Sequence, residues 1–195
     1  RVTNTATSND SKFFAWLGTD DRVRLTDYES GKLLATSEKL PHFARTLVFS
    51  PCGSLLAAQC DNKHLQYWDV SQGDLQSLGS RNFGHSSGMD SAWGHVAIDQ
   101  QHVIGFGEEL DNLYFLNTQE NARFEKQLPN AFASSVLLSP DNRIIAASNL
   151  GVQIFDRATL KNQGKLFNAG HVFSMAYSPD RFISETSPVE TLISD

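Results

Sequence analysis

Short apolar runs and polar turns alternate along the whole chain. The runs are rich in Val, Ile, Leu, Phe, Tyr and Trp, and Ser-Pro, Asp-Asn, Asp-Asp and Gly turns bound them. This alternation is typical of β-strands in an antiparallel meander. The best helical segment is ENARFEKQL, residues 120–128, which lacks a capping residue and has a length of only about two turns. We therefore predict an all-β fold and interpret 120–128 as an outer edge strand, whose charges discourage pairing with other chains.

The apolar runs belong to a repeating unit. Each copy opens with a Ser and a turn pair, and two apolar runs follow, separated by a polar turn, the second ending on Asp. A degenerate copy at 98–117 ends on Asn117 instead. The four regular copies span residues 7–27, 49–69, 138–156 and 177–195, and their opening serines are Ser8, Ser50, Ser139 and Ser178. The resulting period of about 40 to 45 residues is that of a four-stranded propeller blade.

Three kinds of short motif accompany this period. They are a Ser-Pro-x-Gly turn at Ser50–Gly53, with related turns at 139–142 and 178–181, the Trp68-Asp69 dipeptide, and Gly-His dipeptides at 84–85 and 170–171. On these residues the chain resembles the WD-repeat family of β-propellers, and the resemblance covers essentially the whole chain. It implies a β-propeller of four-stranded antiparallel blades that presents its loops to a protein or peptide partner.

The repeat register divides the chain into blades. We expect complete blades at about 1–41, 42–84, 85–129 and 130–170, and a partial blade at 171–195. Because the family usually closes its ring with seven blades, we predict a single segment of a larger propeller. Missing chain segments would then complete the ring. The alternatives are a closed five-bladed ring that lacks one outer strand, and a ring completed by another subunit.

The resemblance also implies a buried hydrogen-bonded network in the second blade. In the family, this network joins a His before the blade, an Asp in the turn between its second and third strands, and the Trp of its third strand. His42, Asp61 and Trp68 match these roles. In the other units Leu25, Leu116 and Phe155 take the place of the Trp. Those blades are expected to depend more on packing than on polar contacts.

Composition and charge narrow the function classes. The 195 residues are 40% hydrophobic and 19% charged, as in ordinary globular domains. The formal net charge of −6 would repel a phosphate backbone, so we predict no nucleic-acid partner. No apolar run approaches the ~18 to 20 residues that span a bilayer, so we predict no membrane insertion.

The two cysteines are expected to be free thiols. A predicted strand separates Cys52 from Cys60, so that they lie roughly 26 Å apart. A disulfide requires Cα atoms within about 7 Å, which excludes a bridge between them. Free thiols favour a reducing compartment such as the cytoplasm.

The sequence offers little that could carry catalysis. His85, Asp90 and His95 are spaced by five residues, a spacing that places metal ligands on one face of neither a helix nor a strand. An acidic run that includes Glu108 lacks the spacing of a calcium loop. The chain contains no G-x-S-x-G elbow and no glycine-rich phosphate loop. We therefore expect a protein that is not an enzyme and has no metal or other cofactor.

The most informative departure from the repeat is a long connection at residues 80–94. It carries Phe83, Met89 and Trp93, residue types that are enriched at the centres of interfaces. We predict that this loop contacts a partner; alternatively, Phe83 and Trp93 fold back to fill a gap between the second and third blades. The remaining candidates for partner binding are His85 and Asp90 in the loop, and Asp20, Arg22, Lys63 and Glu108 in tight turns on the same face.

These features predict a noncatalytic interaction scaffold. The recurring serines are explained by blade turns, and no catalytic set competes with that interpretation. Two alternatives stay open: an accessory propeller domain of a larger enzyme, and an envelope-associated scaffold of a bacterium.

Overall fold

The computed structural model is all-β throughout the part of the chain that it describes. The described residues are 1–61, 64–82, 96–98, 103–108, 112–117, 122–127, 133–138, 143–148, 151–156, 158–159, 161–167, 172–177, 182–186 and 190–193. They form two compact units, Arg1–Ala92 with Ile98–Gln100, and Trp93–Ala97 with Gln101–Asp195. Within the described segments, no helix has the length and apolar character needed to cross a membrane.

The first unit contains two four-stranded sheets. The strands of the first sheet are β1 (Val2–Thr7), β2 (Phe13–Gly18), β3 (Val23–Asp27) and β4 (Leu33–Thr36). Those of the second sheet are β5 (Ala44–Phe49), β6 (Leu55–Cys60), β7 (His64–Asp69) and β8 (Gln76–Asn82). In both sheets the spatial order of the strands follows the chain, and neighbouring strands are antiparallel.

The other three sheets continue the same meander. The third sheet has β9 (Val96–Ile98), β10 (Val103–Glu108), β11 (Asn112–Asn117) and β12 (Ala122–Gln127). The fourth has β13 (Ala133–Leu138), β14 (Arg143–Ser148), β15 (Gly151–Asp156) and β16 (Asn162–Phe167). The described strands of the fifth are β17 (Val172–Tyr177), β18 (Phe182–Thr186) and β19 (Glu190–Ile193).

The sequence repeat corresponds to one hairpin in each sheet. The two apolar runs of each copy form the second and third strands, and the polar turn between them is the hairpin loop. The prediction for 120–128 is confirmed, because β12 lies at the edge of its sheet. The fold class is therefore as predicted, whereas the single continuous segment with its blade bounds stays a prediction.

A feature that the sequence did not predict recurs in the first strand of four sheets. The pairing of the first strand with the second shifts register near its beginning, between Val2 and Asn4 in β1 and between Ala44 and Thr46 in β5. The same shift occurs in β13 and β17. Such a bulge places an extra residue in one strand and increases the local twist.

The core of the first unit lies between its two sheets. Leu17, Val23 and Leu25 are fully buried on one face of the first sheet, and they belong to the same cluster as Leu56 and Trp68 of the second sheet. The first strands of the two sheets, β1 and β5, lie side by side. Burial of apolar side chains between sheets is the main favourable contribution to such a fold.

The register corrects one sequence expectation. In the second sheet, Trp68 lies opposite Leu56 and directly precedes the Asp that ends the third strand. In the first sheet, the residue that directly precedes this Asp is Thr26, which lies opposite Phe14. Thr26 therefore takes the place of the Trp in the first sheet, and the assignment of Leu25 was wrong by one residue. A slip of one residue matters because successive side chains of a strand point to opposite faces.

The recurring Ser closes the loop between the first and second strands. The Ser50 hydroxyl accepts a hydrogen bond from the Leu55 backbone N–H at 3.0 Å, and the Ser8 hydroxyl accepts one from the Phe13 N–H at 2.9 Å. In both loops the backbone also pairs in the reverse direction, from the Ser N–H to the carbonyl of the same partner. Both serines are buried, at 1% and 2% exposure, so their recurrence has a structural cause.

The recurring Asp has a comparable role after the third strand. The Oδ1 atom of Asp27 accepts a hydrogen bond from the Ser30 N–H at 2.8 Å, and that of Asp156 accepts one from the Thr159 N–H at 2.7 Å. These side-chain contacts begin the turn to the fourth strand. The hydroxyl groups of Ser30 and Thr159 also donate to these carboxylates, and the hydroxyl contacts first, then the backbone contacts, lower the pKa of both carboxyl groups.

Candidate functional site

Two turns and one connection meet at one edge of the first unit. The Leu40 N–H donates to the Asp21 carbonyl at 2.8 Å, and the Asp61 N–H donates to the Phe43 carbonyl at 2.8 Å. The connection from β4 to β5 is thus held against the β2–β3 turn and against the turn that follows β6. We call this edge, made of residues 18–22, 37–45 and Asp61, the connection edge.

The inner side of the connection edge is well anchored. The Ser37 hydroxyl accepts a hydrogen bond from the Val23 N–H at 2.9 Å, and the Arg22 guanidinium donates to the Ser37 carbonyl at 2.8 Å. Ser37 and Leu40 are 6% and 5% exposed. Arg22, a predicted partner-binding residue, therefore stabilises the connection.

Acidic and basic side chains are matched along this edge. Asp20 accepts hydrogen bonds from Arg24 at 2.9 and 2.5 Å, and the carboxylate of Asp21 lies 3.6 Å from the Lys39 ammonium. The hydrogen bonds from Arg24 lower the pKa of Asp20 to about 2. Because Asp20 and Lys39 are largely exposed to solvent, we expect these ion pairs to contribute little to stability. Asp20 was a predicted partner-binding residue, and its charge is already compensated.

Phe43 and Arg45 form an exposed aromatic and cationic pair on the same edge. Phe43 is 46% exposed, and the Arg45 guanidinium carbon lies 5.8 Å from the centre of its ring. Arg45 also forms an ion pair with Asp61, and its carbonyl accepts a hydrogen bond from the Asn4 side chain at 2.7 Å. This pair was not predicted from the sequence. The available signal was an aromatic residue at the end of the connection, directly before β5.

The predicted network residues occupy three different environments. Trp68 is 3% exposed in the core, whereas Asp61 is directed to Arg45. The His42 ring contacts the His64 ring edge to face, with 5.6 Å between centroids and 65° between planes. A hydrogen-bonded network that joins His42, Asp61 and Trp68 stays a prediction.

Most of the predicted binding loop lies outside the described residues, and one of its bounds was wrong. The connection does not begin at residue 80, because β8 continues to Asn82 and pairs Ser80, Arg81 and Asn82 with β7. The strand extends because the N-terminal half of β7 also needs backbone partners. Glu108 ends β10, where only its backbone is described. The predicted residues outside the described part are Lys63, Phe83, His85, Met89, Asp90 and Trp93.

The two cysteines are free and differ strongly in environment. Cys60 is 3% exposed, and burial, together with the charges of Asp61 and Asp21, raises its pKa to about 12. Cys52 is exposed, and although partial burial acts in the opposite direction, hydrogen bonds with the hydroxyls of Ser50 and Ser54 lower its pKa. The prediction of free thiols is confirmed. Among the described side chains, no group of three or more His, Cys, Asp or Glu could hold a metal ion.

Comparison with solved structures identifies the architecture. The beta-propeller domain of Myceliophteria thermophila Cps50 (Swd1) superposes with a TM-score of 0.72 at 15% sequence identity, over 95% of this chain and 62% of that one. The fold is a β-propeller. The computationally designed Ika8 protein gives a TM-score of 0.71 at 14% identity, over 95% of this chain and 55% of that one.

The match to these propellers is structural. No family model and no curated protein matches the sequence. This chain spans 55% and 62% of the lengths of the two solved structures. At such low identity the likeness shows the fold alone. Function depends on the residues that the propeller presents at its surface.

Proposed function

We propose that this propeller is a noncatalytic scaffold of the WD-repeat type, which binds a protein or peptide partner through the connection edge. The observation that carries the proposal is the exposed pair of Phe43 and Arg45 on an anchored backbone. Aromatic and Arg side chains are the residue types that most often dominate binding energy at protein interfaces.

The anchoring of the backbone supports this role. Hydrogen bonds at Leu40 and Asp61 fix the connection before a partner arrives, and the Asn4 side chain joins β1 to the carbonyl of Arg45. A binding surface that is already ordered loses less conformational entropy on association. Phe43 is thus presented without a preceding folding step.

The noncatalytic part of the proposal has separate support. Recurring Ser and Asp residues could suggest catalysis. In this chain they form hydrogen bonds within turns, as the side chains of Ser8, Ser50, Asp27 and Asp156 show. Such contacts explain their recurrence without a reaction.

The proposal is tested by quantitative capture from a lysate of the source cells, with the full-length protein and two single variants. Phe43→Ala removes the exposed ring of the connection edge, whereas Tyr28→Ala removes a similarly exposed ring, 52% accessible, from the turn after β3. We expect at least one protein that the wild type and Tyr28→Ala retain equally and that Phe43→Ala retains at least about tenfold less, as for loss of a hot-spot side chain. Equal retention by both variants would contradict binding at this edge.

The loop after β8 provides a second arm of the same experiment. Phe83 and Trp93 are the sequence-based candidates for an additional anchor on the face predicted to bind partners. A combined Phe83→Ala and Trp93→Ala variant should weaken capture of the same protein while thermal melting stays nearly unchanged. A large fall in the melting temperature would show that these side chains fill a gap between blades instead.

A further inference from the structure

The contact between His42 and His64 joins two segments that are distant in sequence. His42 lies in the connection before β5, and His64 is the first residue of β7. Both rings are partly buried, and their centroids are 5.6 Å apart. The Nε2 atom of His64 is inaccessible to solvent and has no hydrogen-bond partner. A proton on His64 would therefore be placed in a poorly solvated position close to a second imidazole.

Among the residues that the structure describes around His64, few could compensate an added positive charge. Cys60 lies directly opposite it in β6 and stays a neutral thiol, because its pKa is raised to about 12. Asn82, opposite it in β8, is uncharged, and Arg81 precedes it. The two described carboxylates closest to this part of the connection edge are already paired with cations. Asp61 forms an ion pair with Arg45, and Asp21 forms one with Lys39. Lys63, next to His64 in sequence, lies outside the described residues.

We propose that the His42–His64 contact is a proton-sensitive latch on the connection edge. When both rings are neutral, they pack edge to face and hold the connection against the beginning of β7. When protons bind, charge repulsion and the cost of burying an unpaired cation separate the rings and release the connection. The latch does not depend on the proposed binding function, because it concerns the local stability of the edge.

The direction of the pH dependence follows from the environment of His64. Burial, and then the neighbouring His42, lower the pKa of His64 from its ordinary value of 6.5. The folded state therefore binds this proton less tightly than the opened state does. The stability that the closed latch contributes is present above the ordinary pKa and is lost as the pH falls through and below 6.5.

Hydrogen exchange of single backbone amides tests the latch in the wild-type protein. The N–H groups of Leu40 and Asp61 report on opening of the connection, whereas the N–H of Val70, bonded to the Ser54 carbonyl at 2.8 Å, reports on the other end of the second blade. After correction for intrinsic exchange rates, the protection of Leu40 and Asp61 should fall by at least about threefold between about pH 7.5 and pH 5.5, and that of Val70 should not. An equal fall at all three amides would overturn the latch in favour of general acid destabilisation, and no fall would overturn it directly.

A variant tests whether the two rings are coupled. His42→Gln removes the neighbouring imidazole charge but leaves His64 buried, so the pH-dependent loss of protection at Asp61 should become smaller without disappearing. In an NMR titration of the imidazoles, the pKa of His64 should lie below 6.5 in the wild type and should rise in His42→Gln. If His42→Gln does not fold, the wild-type titration still decides: a His64 pKa at or above 6.5 would refute the latch.

Discussion

Replacement of Trp68 by Ala is the most direct test of the blade packing. Trp68 lies in the third strand of the second blade, pairs with Leu56, and is only 3% exposed. Its ring belongs to the core cluster between the two sheets, to which the first blade contributes Leu17 and Leu25. The substitution would therefore leave a cavity between two sheets that cannot easily collapse.

The expected cost can be worked from the buried area. An aromatic side chain buries roughly 150 to 250 Å² in a core, and Ala would retain only a small part of it. At about 25 cal/mol per Å² of apolar area, a loss of about 150 to 200 Å² corresponds to about 4 to 5 kcal/mol. Truncation of buried Phe or Trp to Ala typically costs about 3 to 5 kcal/mol, so we expect the free energy of unfolding to fall within that range.

Trp16→Ala is the matched control, because it makes the same change on the other face of the first blade. Trp16 is half-buried; its indole N–H donates to the Thr26 hydroxyl at 3.2 Å, and the Arg24 guanidinium lies 4.7 Å from its ring centre. Because water already reaches this face, we expect a cost of only about 1 to 2 kcal/mol.

The assay for the Trp variants is equilibrium unfolding in urea followed by far-UV circular dichroism, because the variants themselves alter tryptophan fluorescence. The slope of free energy against urea concentration has to agree among the three proteins, so that the midpoints report stability. A cost below about 1 kcal/mol for Trp68→Ala, or a cost no larger than that of Trp16→Ala, would refute the packing between the two blades.

Three further predictions concern the loop between β5 and β6 and the thiols. Ser50→Ala should lower the free energy of unfolding by about 1 to 2 kcal/mol in urea, because the buried Leu55 N–H loses its hydroxyl acceptor. Gly53→Ala should cost about 1 to 3 kcal/mol by the same assay, because Gly53 has φ of +74° and an added Cβ would lie 3.0 Å from a carboxylate oxygen of the neighbouring blade. In the native protein, Ellman's reagent should modify Cys52 rapidly, with a midpoint below the ordinary pKa of 9.0, and should reach Cys60 only after unfolding.

Each of these predictions has a control in the same chain. Ser30→Ala, in an exposed turn, should change the free energy of unfolding by less than about 0.5 kcal/mol. Gly31→Ala has a similar φ of +68° but no atom within 4 Å of the added Cβ, so it should cost only about 1 kcal/mol. Cys52→Ser should abolish the rapid reaction; a rapid reaction that persists would show that Cys60 is accessible.

The repeated hairpins, and with them the fold class, could be predicted from the sequence. Apolar alternation and turn residues act over a few neighbouring positions, so the repeat marks the second and third strands of every blade. The recurring Ser and Asp could likewise be interpreted as turn residues, since their hydrogen bonds reach only three to five positions along the chain, as at Ser50 and Asp27. The outer edge strand β12 could also be predicted, from the composition of its own segment.

The candidate site, in contrast, depends on contacts between distant positions. The carboxylate of Asp61 meets Arg45 across 16 positions, and His42 meets His64 only because the connection folds back onto the second blade. The pattern of apolar residues carried no sign of either contact, because polar side chains select partners by geometry after the sheets have packed. Neighbouring residues thus specify the strands and turns. The fixed backbone of the connection edge and the pairing of its charged side chains depend on the tertiary structure, which brings separate turns within hydrogen-bonding distance.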